Sequence, residues 1–272
     1  MYKRIISGNT ALITGASSGI GLTFATKLAK LGVNLILVAR RINLLNELKS
    51  KIESEFQVSV QVFCADLSKP NWKEEIPNIF DFDIDYLISN AGTGYPGEFG
   101  TRSFEEDLQL VQLNCITPLE LTHIFLPRMK ERKKGGIIFV SSTMGMHGIP
   151  YMAQYSSTKG YLLNLGESLY SECKPYNVDI EVLMPGATRT PGILLFDVEY
   201  EKLPISWMEP DEVVDIALKH LGKKALVIPG FRNWFLQGIS TCLTLRTVIQ
   251  KILKKYADKT INKKDFKTSS VS

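Results

Sequence analysis

The sequence has few cysteines, and their placement excludes several classes of protein. Four cysteines are scattered over 272 residues, at Cys64, Cys115, Cys173 and Cys242. None belongs to a CxxC pair or a Cys/His cluster, so we expect neither a metal site nor a disulfide framework. Scattered thiols of this kind fit a reducing compartment, and we therefore expect a cytoplasmic protein.

Long apolar runs are also missing. No run approaches the roughly 20 residues that span a bilayer. The opening stretch, MYKRIISGNTALITG, shows neither an apolar core segment nor a small-residue cleavage site. We expect neither a membrane-spanning helix nor a signal peptide. Hydrophobic residues at 44% and charged residues at 22% are ordinary for a globular protein that can bury a full core.

The net charge of +4 is small, but it is unevenly distributed. Residues 220–272 hold eleven Lys and Arg against two Asp and Glu, a local balance of +9 that leaves −5 for residues 1–219. The basic character therefore belongs to the C-terminal end and not to the body of the protein. We expect no nucleic-acid partner.

Short apolar, β-branched runs alternate along the chain with amphipathic segments. The runs are nearly continuous in apolar character, as strands are in a parallel sheet covered on both faces. The alternation predicts an α/β fold with a doubly wound, seven-stranded parallel sheet of the Rossmann type. Strands are predicted at 10–14, 34–39, 58–63, 85–89, 136–141, 179–184 and 225–229, and helices at 19–32, 42–55, 71–78, 103–131, 152–175 and 210–221.

The pattern indicates one domain. No internal repeat or low-complexity linker divides it, so we expect the sheet to occupy residues 1–230, followed by a helical extension and polar tail at 231–272. The segment 190–208 follows the sixth strand, on the side of open α/β sheets where ligands bind. It lacks a clean period and predicts a substrate lid; the alternative is an ordinary surface loop.

A glycine-rich stretch, TGASSGIG, joins the first predicted strand to the first helix. Gly15, Gly19 and Gly21 permit a tight turn and a close backbone approach. The helix N-terminus then offers free N–H groups and a positive dipole end to a pyrophosphate. The spacing GxxxGxG differs from the commoner GxGxxG, but the strand–turn–helix context indicates a nucleotide site.

The second predicted strand ends in VARR, without a carboxylate that could accept hydrogen bonds from the ribose hydroxyls. A guanidinium at Arg40, accompanied by Arg41, can instead bind a 2′-phosphate, with the Ser17 hydroxyl as a further donor. This favours NADP(H) over NAD. The alternative is a solvated pair of arginines at the start of a helix.

A third set of residues follows the fifth predicted strand. Ser142 lies 13 residues before Tyr155, and Lys159 lies four residues after it. On a helix, Tyr155 and Lys159 leave from one face, about one turn apart. Such a pair is common on helices, and by itself a solvated surface pair is the plainer interpretation.

Together with the glycine loop, Asn90–Gly92 (NAG), Asn114 and Pro185–Thr190 (PGATRT), this set resembles the short-chain dehydrogenase/reductase family. The resemblance covers about residues 8–230, and the motifs occur in the family's order. It implies that Tyr155 is the acid/base, Lys159 its activator, Ser142 a donor to the substrate carbonyl, and Asn114 an anchor for proton relay. It also implies that Asp66 holds the adenine, that Asn90 lies along the cofactor, and that Thr190 holds the nicotinamide carboxamide. The positions that it and the glycine loop indicate for the cofactor are Gly15, Ser17, Ser18, Gly19, Ile20, Gly21, Arg40, Asp66, Leu67, Asn90, Tyr155, Lys159, Pro185, Gly186, Thr188 and Thr190.

Elementary chemistry supports the catalytic roles. Reduction of a carbonyl needs a hydride on carbon, which a nicotinamide supplies, and a proton on oxygen. A free tyrosine titrates near 10, and an ammonium about 4–6 Å away favours its phenolate. We therefore expect Lys159 to lower the pKa of Tyr155. Ser142 can donate to the carbonyl oxygen without competing for the proton.

Within 231–256, apolar residues fall near helical spacing and are accompanied by Arg and Lys. One interpretation is a helix pair that covers the substrate cleft or a dimer face. The other is a basic amphipathic element that contacts a membrane surface or a lipid-like substrate. Similar tails occur in DltE-like dehydrogenases and in long-chain ketoacyl-CoA and steroid reductases, which favours a hydrophobic substrate. The family likeness also suggests a homodimer through the helices at 103–131 and 152–175.

The sequence therefore predicts an NADP(H)-dependent oxidoreductase that interconverts a carbonyl and a secondary alcohol, working as a reductase. Two alternatives stay open. One is an NAD-dependent alcohol dehydrogenase, and the other is a non-catalytic module that only senses a nucleotide. The presence of Ser142, Tyr155 and Lys159 together argues against the second.

Overall fold

A computed structural model describes residues 4–193, 206–235 and 255 of the chain. Most of the predicted lid at 190–208 lies outside the described residues, and so does nearly all of the extension after residue 235.

The fold is built on one seven-stranded sheet. Its strands are β1 (Thr10–Thr14), β2 (Asn34–Ala39), β3 (Val60–Cys64), β4 (Tyr86–Ser89), β5 (Gly135–Val140), β6 (Val178–Leu183) and β7 (Leu226–Val227). The strands are all parallel, in the order β3-β2-β1-β4-β5-β6-β7. The order reverses between β1 and β4, which confirms the predicted doubly wound Rossmann-type sheet.

Helices cover both faces of this sheet. They are α1 (Gly19–Lys30), α2 (Ile42–Glu55), α3 (Trp72–Glu75), α4 (Phe104–Val111), α5 (Thr117–Arg132), α6 (Ala153–Cys173) and α7 (Pro210–His220). On one face α1, α2 and α7 bury side chains such as Phe24, Leu45 and Val213. On the other, α5 and α6 bury Phe125 and Leu162. Each side chain of this kind contributes about 1.5–3 kcal/mol when it leaves water, so the apolar runs hold the two layers together.

The edge strand β3 departs from the expectation of strands buried on both faces. Gln61 and Cys64 are exposed, and only Val60 is buried. An edge strand has a neighbour on one side only, so fewer side chains surround it. The last strand, β7, is also shorter than the predicted segment 225–229.

The helix predicted at 103–131 is observed as α4 and α5, joined by the π-helical turn Gln112–Ile116. Pro118 has no N–H to donate to the carbonyl of Asn114, four residues earlier, so the regular α-helical bond is missing there. This accounts for the wider turn. Such turns often occur at functional sites, and Asn114 lies inside this one.

Strand β6 carries a buried carboxylic acid, Glu181. Among the described residues, neither of its carboxylate oxygens has a hydrogen-bond partner. Burial raises the pKa of Glu181 well above its usual value, and the negative charge of Asp179 raises it further. The site therefore favours the neutral, protonated form.

Candidate active site

The predicted site residues lie together at the edge of the sheet where the strands end. Because parallel strands end at one edge, loops that are far apart in sequence meet there. The reversal of strand order between β1 and β4 opens a crevice at this edge, which is where ligands bind in such sheets. The first predicted residue after each of the strands β1 to β6 is, in order, Gly15, Arg40, Asp66, Asn90, Ser142 and Pro185.

The glycine loop after β1 has the shape of an anion cradle. Gly15 and Gly19 have φ angles of +67° and +57°, in the left-handed region that favours glycine. A methyl group built on Gly21 would lie 2.4 Å from the carbonyl oxygen of Gly15. Helix α1 begins at Gly19 with no acidic residue in its first turn. Its free N–H groups and dipole therefore suit a phosphate group.

The guanidinium that lies on this loop belongs to Arg41. Its Nε and Nη2 donate to Oγ of Ser17 at 3.2 and 2.8 Å, and Nη2 also donates to Oγ of Ser18 at 2.8 Å. Arg40, which the sequence prediction selected, is exposed, and its carbonyl accepts a hydrogen bond from the Cys64 thiol. The VARR motif correctly predicts an arginine near the glycine loop. Which of the two arginines faces the loop depends on the direction of the chain after β2, which the motif does not determine.

The predicted adenine side of the site is formed by the loop after β3. Asp66 is half-buried, and its carboxylate accepts hydrogen bonds from the backbone N–H and the hydroxyl of Ser68, at 3.1 and 2.7 Å. Leu67 is buried, and its carbonyl accepts a hydrogen bond from the Thr117 hydroxyl at 2.8 Å. The loop is thus anchored to the start of α5.

Asn90, after β4, supports the glycine loop directly. Its side-chain amide donates to the carbonyls of Thr14 and Gly15 at 2.9 and 3.3 Å. Ile20, in the first turn of α1, is half-buried against the core. Asn90 therefore holds the loop at Gly15, while Ile20 fixes the start of α1 to the core.

Tyr155 and Lys159 lie on α6, next to the end of β5. The ammonium of Lys159 is buried and donates to the carbonyl of Val140 at 2.9 Å. It also lies 5.7 Å from the centre of the Tyr155 ring. Ser142 forms a side-chain hydrogen bond with Tyr155. The three predicted catalytic side chains therefore meet at one point.

Asn114 is fully buried beside this group. Its Oδ1 accepts from the backbone N–H of Thr93 at 3.0 Å, and its Nδ2 donates to the carbonyl of Thr93 and the hydroxyl of Thr158 at 2.7 and 3.0 Å. A methyl group built on Gly92 would lie 3.0 Å from Nζ of Lys159 and 3.2 Å from Oδ1 of Asn114. The lysine and the asparagine thus border one small space.

The pKa shifts differ from the sequence expectation for the tyrosine. Burial raises the pKa of Tyr155, and the hydrogen bond with Ser142 offsets this only in part. Burial also lowers the pKa of Lys159 to about 8. We expected the ammonium to lower the pKa of the phenol, but Lys159 is itself desolvated and is held by a backbone carbonyl. The structure instead favours a neutral phenol, the form that can donate a proton.

The loop after β6, Pro185–Thr190, links the catalytic group to the glycine loop. The backbone N–H of Thr143, next to Ser142, donates to the carbonyl of Pro185 at 3.1 Å. At its other end, the side chain of Thr190 lies against Gly19, 3.0 Å from the position of a built methyl group. Between them Thr188 is buried, and its hydroxyl donates to the carbonyl of Gly186 at 3.1 Å.

Gly94 is a site residue that the sequence prediction missed. It is buried, and a methyl group built on it would lie 2.4 Å from Cδ2 of Tyr155, much closer than van der Waals contact allows. Only glycine therefore allows the loop after β4 to pass the phenol ring of Tyr155. The signal in the sequence is the second glycine of AGTG, immediately after the NAG motif.

Within residues 4–193, 206–235 and 255, no three His, Cys, Asp or Glu side chains are grouped so that they could hold a metal ion. No helix in the same part of the chain is long and apolar enough to cross a bilayer.

A model of the short chain dehydrogenase family matches residues 9–193. The 7beta-hydroxysteroid dehydrogenase of Mediterraneibacter gnavus is 30% identical over 230 residues, which cover 83% of this chain and 88% of the relative. The very-long-chain 3-oxoacyl-CoA reductase of Aspergillus terreus is 33% identical over 182 residues, 65% of this chain and 52% of the relative.

Among solved structures, a short-chain dehydrogenase from Sphingobium yanoikuyae in complex with NADPH matches with a TM-score of 0.76 and 31% identity. The match covers 87% of this chain and 96% of that chain. The family model, the relatives and the geometry agree with the resemblance seen in the motifs, including its hydroxysteroid and ketoacyl reductase branch. The chain therefore belongs to the short-chain dehydrogenase family of oxidoreductases.

Proposed function

We propose that this protein is an NADP(H)-dependent reductase that interconverts a carbonyl and a secondary alcohol on a bulky, hydrophobic substrate. The observation that carries the proposal is the meeting of Ser142, Tyr155 and Lys159 beside the glycine loop. A module that only sensed a nucleotide would not need a buried lysine next to a phenol and a serine hydroxyl.

The glycine loop and the N-terminus of α1 fit the pyrophosphate of a nicotinamide cofactor, which supplies the hydride when it is bound. We assign the 2′-phosphate of NADP(H) to Arg41 with the hydroxyls of Ser17 and Ser18, because these groups already converge. The roles that the family implies for Asp66 at the adenine and Thr190 at the nicotinamide carboxamide stay predictions.

In this account, the chain's own groups supply and control the proton. Tyr155, kept neutral by burial, donates its proton to the carbonyl oxygen as negative charge develops there. The Ser142 hydroxyl donates a hydrogen bond to the same oxygen. Lys159 carries its charge below about pH 8, and this charge stabilises the phenolate that the proton transfer leaves behind.

The hydrophobic substrate class is supported by two kinds of observation. The relatives named above include a dehydrogenase of hydroxysteroids and a reductase of very-long-chain 3-oxoacyl-CoA. The start of the extension, next to the loop after β6, carries exposed aromatic side chains at Phe231, Trp234 and Phe235. We therefore propose a steroid-sized or long-chain carbonyl compound.

A screen that follows NADPH oxidation tests this proposal. It would compare bulky ketones, such as keto-steroids and long-chain 3-oxoacyl thioesters, with small ketones of equal carbonyl reactivity. We expect turnover of the bulky class at low concentration and little turnover of the small class. Oxidation of NADPH by small ketones alone would refute the substrate class, and oxidation of NADH at equal efficiency would refute the cofactor assignment.

We propose a homodimer through α4, α5 and α6. The α4–α5 segment leaves Phe104 70% and Leu108 50% exposed, together with Ile116 and Leu119. Exposed apolar residues that follow one another along this segment are more typical of an interface than of a free surface. Light scattering of Leu108→Glu beside the unchanged protein tests this: the variant should lose the dimer mass, and an unchanged mass would refute the interface.

For the extension we propose contact with an anionic membrane surface. Phe231 is 74% exposed and lies 6.0 Å from both Trp234 and Phe235, ring centre to ring centre. The rest of the predicted basic amphipathic element within 231–256 lies outside the described residues. Co-sedimentation at low salt with vesicles containing phosphatidylserine should retain the full chain and not a chain lacking 231–272. Equal amounts of both chains in the vesicle pellet would refute the membrane contact. The cytoplasmic location stays a prediction.

A further inference from the structure

The first turn of the extension presents one residue to the site, Asn233. Of the five described residues there, 231–235, it is the one that is not exposed. Its Nδ2 donates to the carbonyl of Pro229 at 3.0 Å and lies 3.7 Å from Sδ of Met208. These contacts turn the side-chain amide inward, while the neighbouring aromatic residues face outward.

The amide of Asn233 lies directly on Gly186. A methyl group built on Gly186 would be 2.6 Å from Nδ2 and 2.9 Å from Cγ of Asn233, distances that no real Cβ atom tolerates without movement. Gly186 lies in the loop Pro185–Thr190 that joins the catalytic group to the glycine loop. The backbone at this point is therefore free to approach the amide only because the residue is glycine.

Met208 holds the same loop from a second side. Its backbone N–H donates to the carbonyl of Ala187 at 3.0 Å, and its carbonyl accepts from the N–H of Arg189 at 3.0 Å. Met208 also pairs with Thr188 as an isolated parallel bridge. Asn233 touches both Met208 and the loop, so the first turn of the extension, 231–235, packs against Met208 and the loop.

We propose that Asn233 is a positioning residue that sets the course of the loop Pro185–Thr190, so that the C-terminal extension takes part in binding the cofactor. The inference rests on the proposed function, since it assumes that this loop faces the nicotinamide end of NADP(H). It assigns a role to a residue outside the family's matched segment, 9–193. The start of the extension then supports the cofactor site.

A double-substitution cycle tests the contact. Gly186→Ala puts a methyl group into the amide, and Asn233→Ala removes the amide. The dissociation constant for NADPH is measured by fluorescence titration for the unchanged protein, both single variants and the double variant. We expect Gly186→Ala to weaken binding most, and the double variant to recover about fivefold or more of that loss, because contacting residues are not additive.

The controls separate positioning from plain stability. Arg232→Ala changes the exposed neighbour of Asn233 and should leave the NADPH dissociation constant unchanged. Thermal unfolding without cofactor shows whether a variant is folded. If Asn233→Ala lowers the unfolding temperature and leaves the NADPH dissociation constant unchanged, or if the effects of the two substitutions on affinity simply add, the inference is wrong while the proposed function stands.

Hydrogen–deuterium exchange of the unchanged protein gives a test without any substitution. Saturating NADPH should slow amide exchange in peptides that cover 229–235 as well as 186–190. Protection of 186–190 alone would overturn the inference. Failure of the protein to bind NADPH at all would instead overturn the proposed function, and the inference with it.

Discussion

The position of Arg41 makes a sharp prediction about cofactor choice. Both arginines after β2 are exposed, but only the guanidinium of Arg41 is seen on the hydroxyls of Ser17 and Ser18, at distances of 2.8 to 3.2 Å. A guanidinium held at the glycine loop loses little conformational freedom when it binds a phosphate. We therefore expect Arg41→Ala, and not Arg40→Ala, to remove the preference for NADPH.

The size of the effect follows from the number and type of bonds. A hydrogen bond to a charged group contributes about 1.5–3 kcal/mol, which corresponds to about 10- to 150-fold in affinity. Because Arg41 is exposed to solvent, we expect a loss near the lower end of this range. An exposed charge that makes no fixed contact, as we assume for Arg40, contributes at most about 1 kcal/mol, or about fivefold.

Fluorescence titration with NADPH and NADH measures both effects in the same proteins. Arg41→Ala should weaken NADPH by about 10-fold or more and leave NADH nearly unchanged, because NADH has no 2′-phosphate. Arg41→Lys should restore part of the affinity, since it keeps the charge but not the two-point geometry. Equal loss of NADPH and NADH, or a larger loss in Arg40→Ala, would refute the assignment.

Three further predictions concern the catalytic group and the core. Because Lys159 loses its charge as the pH rises through about 8, kcat/KM for carbonyl reduction should fall above that pH; a flat profile up to about pH 10 would contradict this. Glu181 binds its proton more tightly in the folded than in the unfolded protein, so stability should decline by up to about 1.4 kcal/mol per pH unit between its usual pKa and its raised pKa in the folded protein. Glu181→Gln should make that slope shallower in urea unfolding followed at several pH values, because only the smaller contribution of Asp179, whose pKa burial also raises, would remain. Equal slopes in the variant and the unchanged protein would contradict this prediction. Gly94→Ala should displace the Tyr155 ring and lower kcat by about 100-fold for a shift near 1 Å. The NADPH dissociation constant should stay the same. An unchanged kcat would contradict the prediction, because it would mean that the loop moves away and leaves the ring in place.

Much of the fold could be predicted because burial on two faces leaves a clear pattern. β1 and β2 were predicted to the residue, since their apolar runs are bounded by polar turns. β3 was not, because an edge strand is covered on one side and its run is interrupted. The π-helical turn at Gln112–Ile116 was also missed, although the lack of an N–H at Pro118 predicts an interruption of the α-helical hydrogen bonds there.

The candidate site was predictable where glycine or a fixed spacing carries the signal. Tyr155 and Lys159 meet because α6 places them one turn apart, and Ser142 joins them because β5 ends beside that helix. Arg41, Gly94 and Asn233 were harder. The roles proposed for them depend on which way a side chain turns or on how closely two loops approach, and the spacing of residues in the sequence determines neither.

The pKa of Tyr155 illustrates the same limit. A nearby ammonium predicts a lower pKa from the sequence, whereas burial, which depends on the whole surrounding fold, raises it. Lys159 is buried with it, so the ammonium is weakened by the same cause. Pair spacing alone therefore indicates which groups meet and not which protonation state the site favours.

The most direct test of the account is the turnover of Tyr155→Phe with NADPH and a bulky ketone that the unchanged protein reduces. Removing the phenolic proton should lower kcat by about 10²- to 10⁴-fold, the usual contribution of a general acid. The NADPH dissociation constant should stay within about twofold of the unchanged protein's value, which is a difference of less than about 0.5 kcal/mol in binding free energy. Reduction at the original rate by Tyr155→Phe would show that this tyrosine is not the proton donor and would contradict the proposed mechanism.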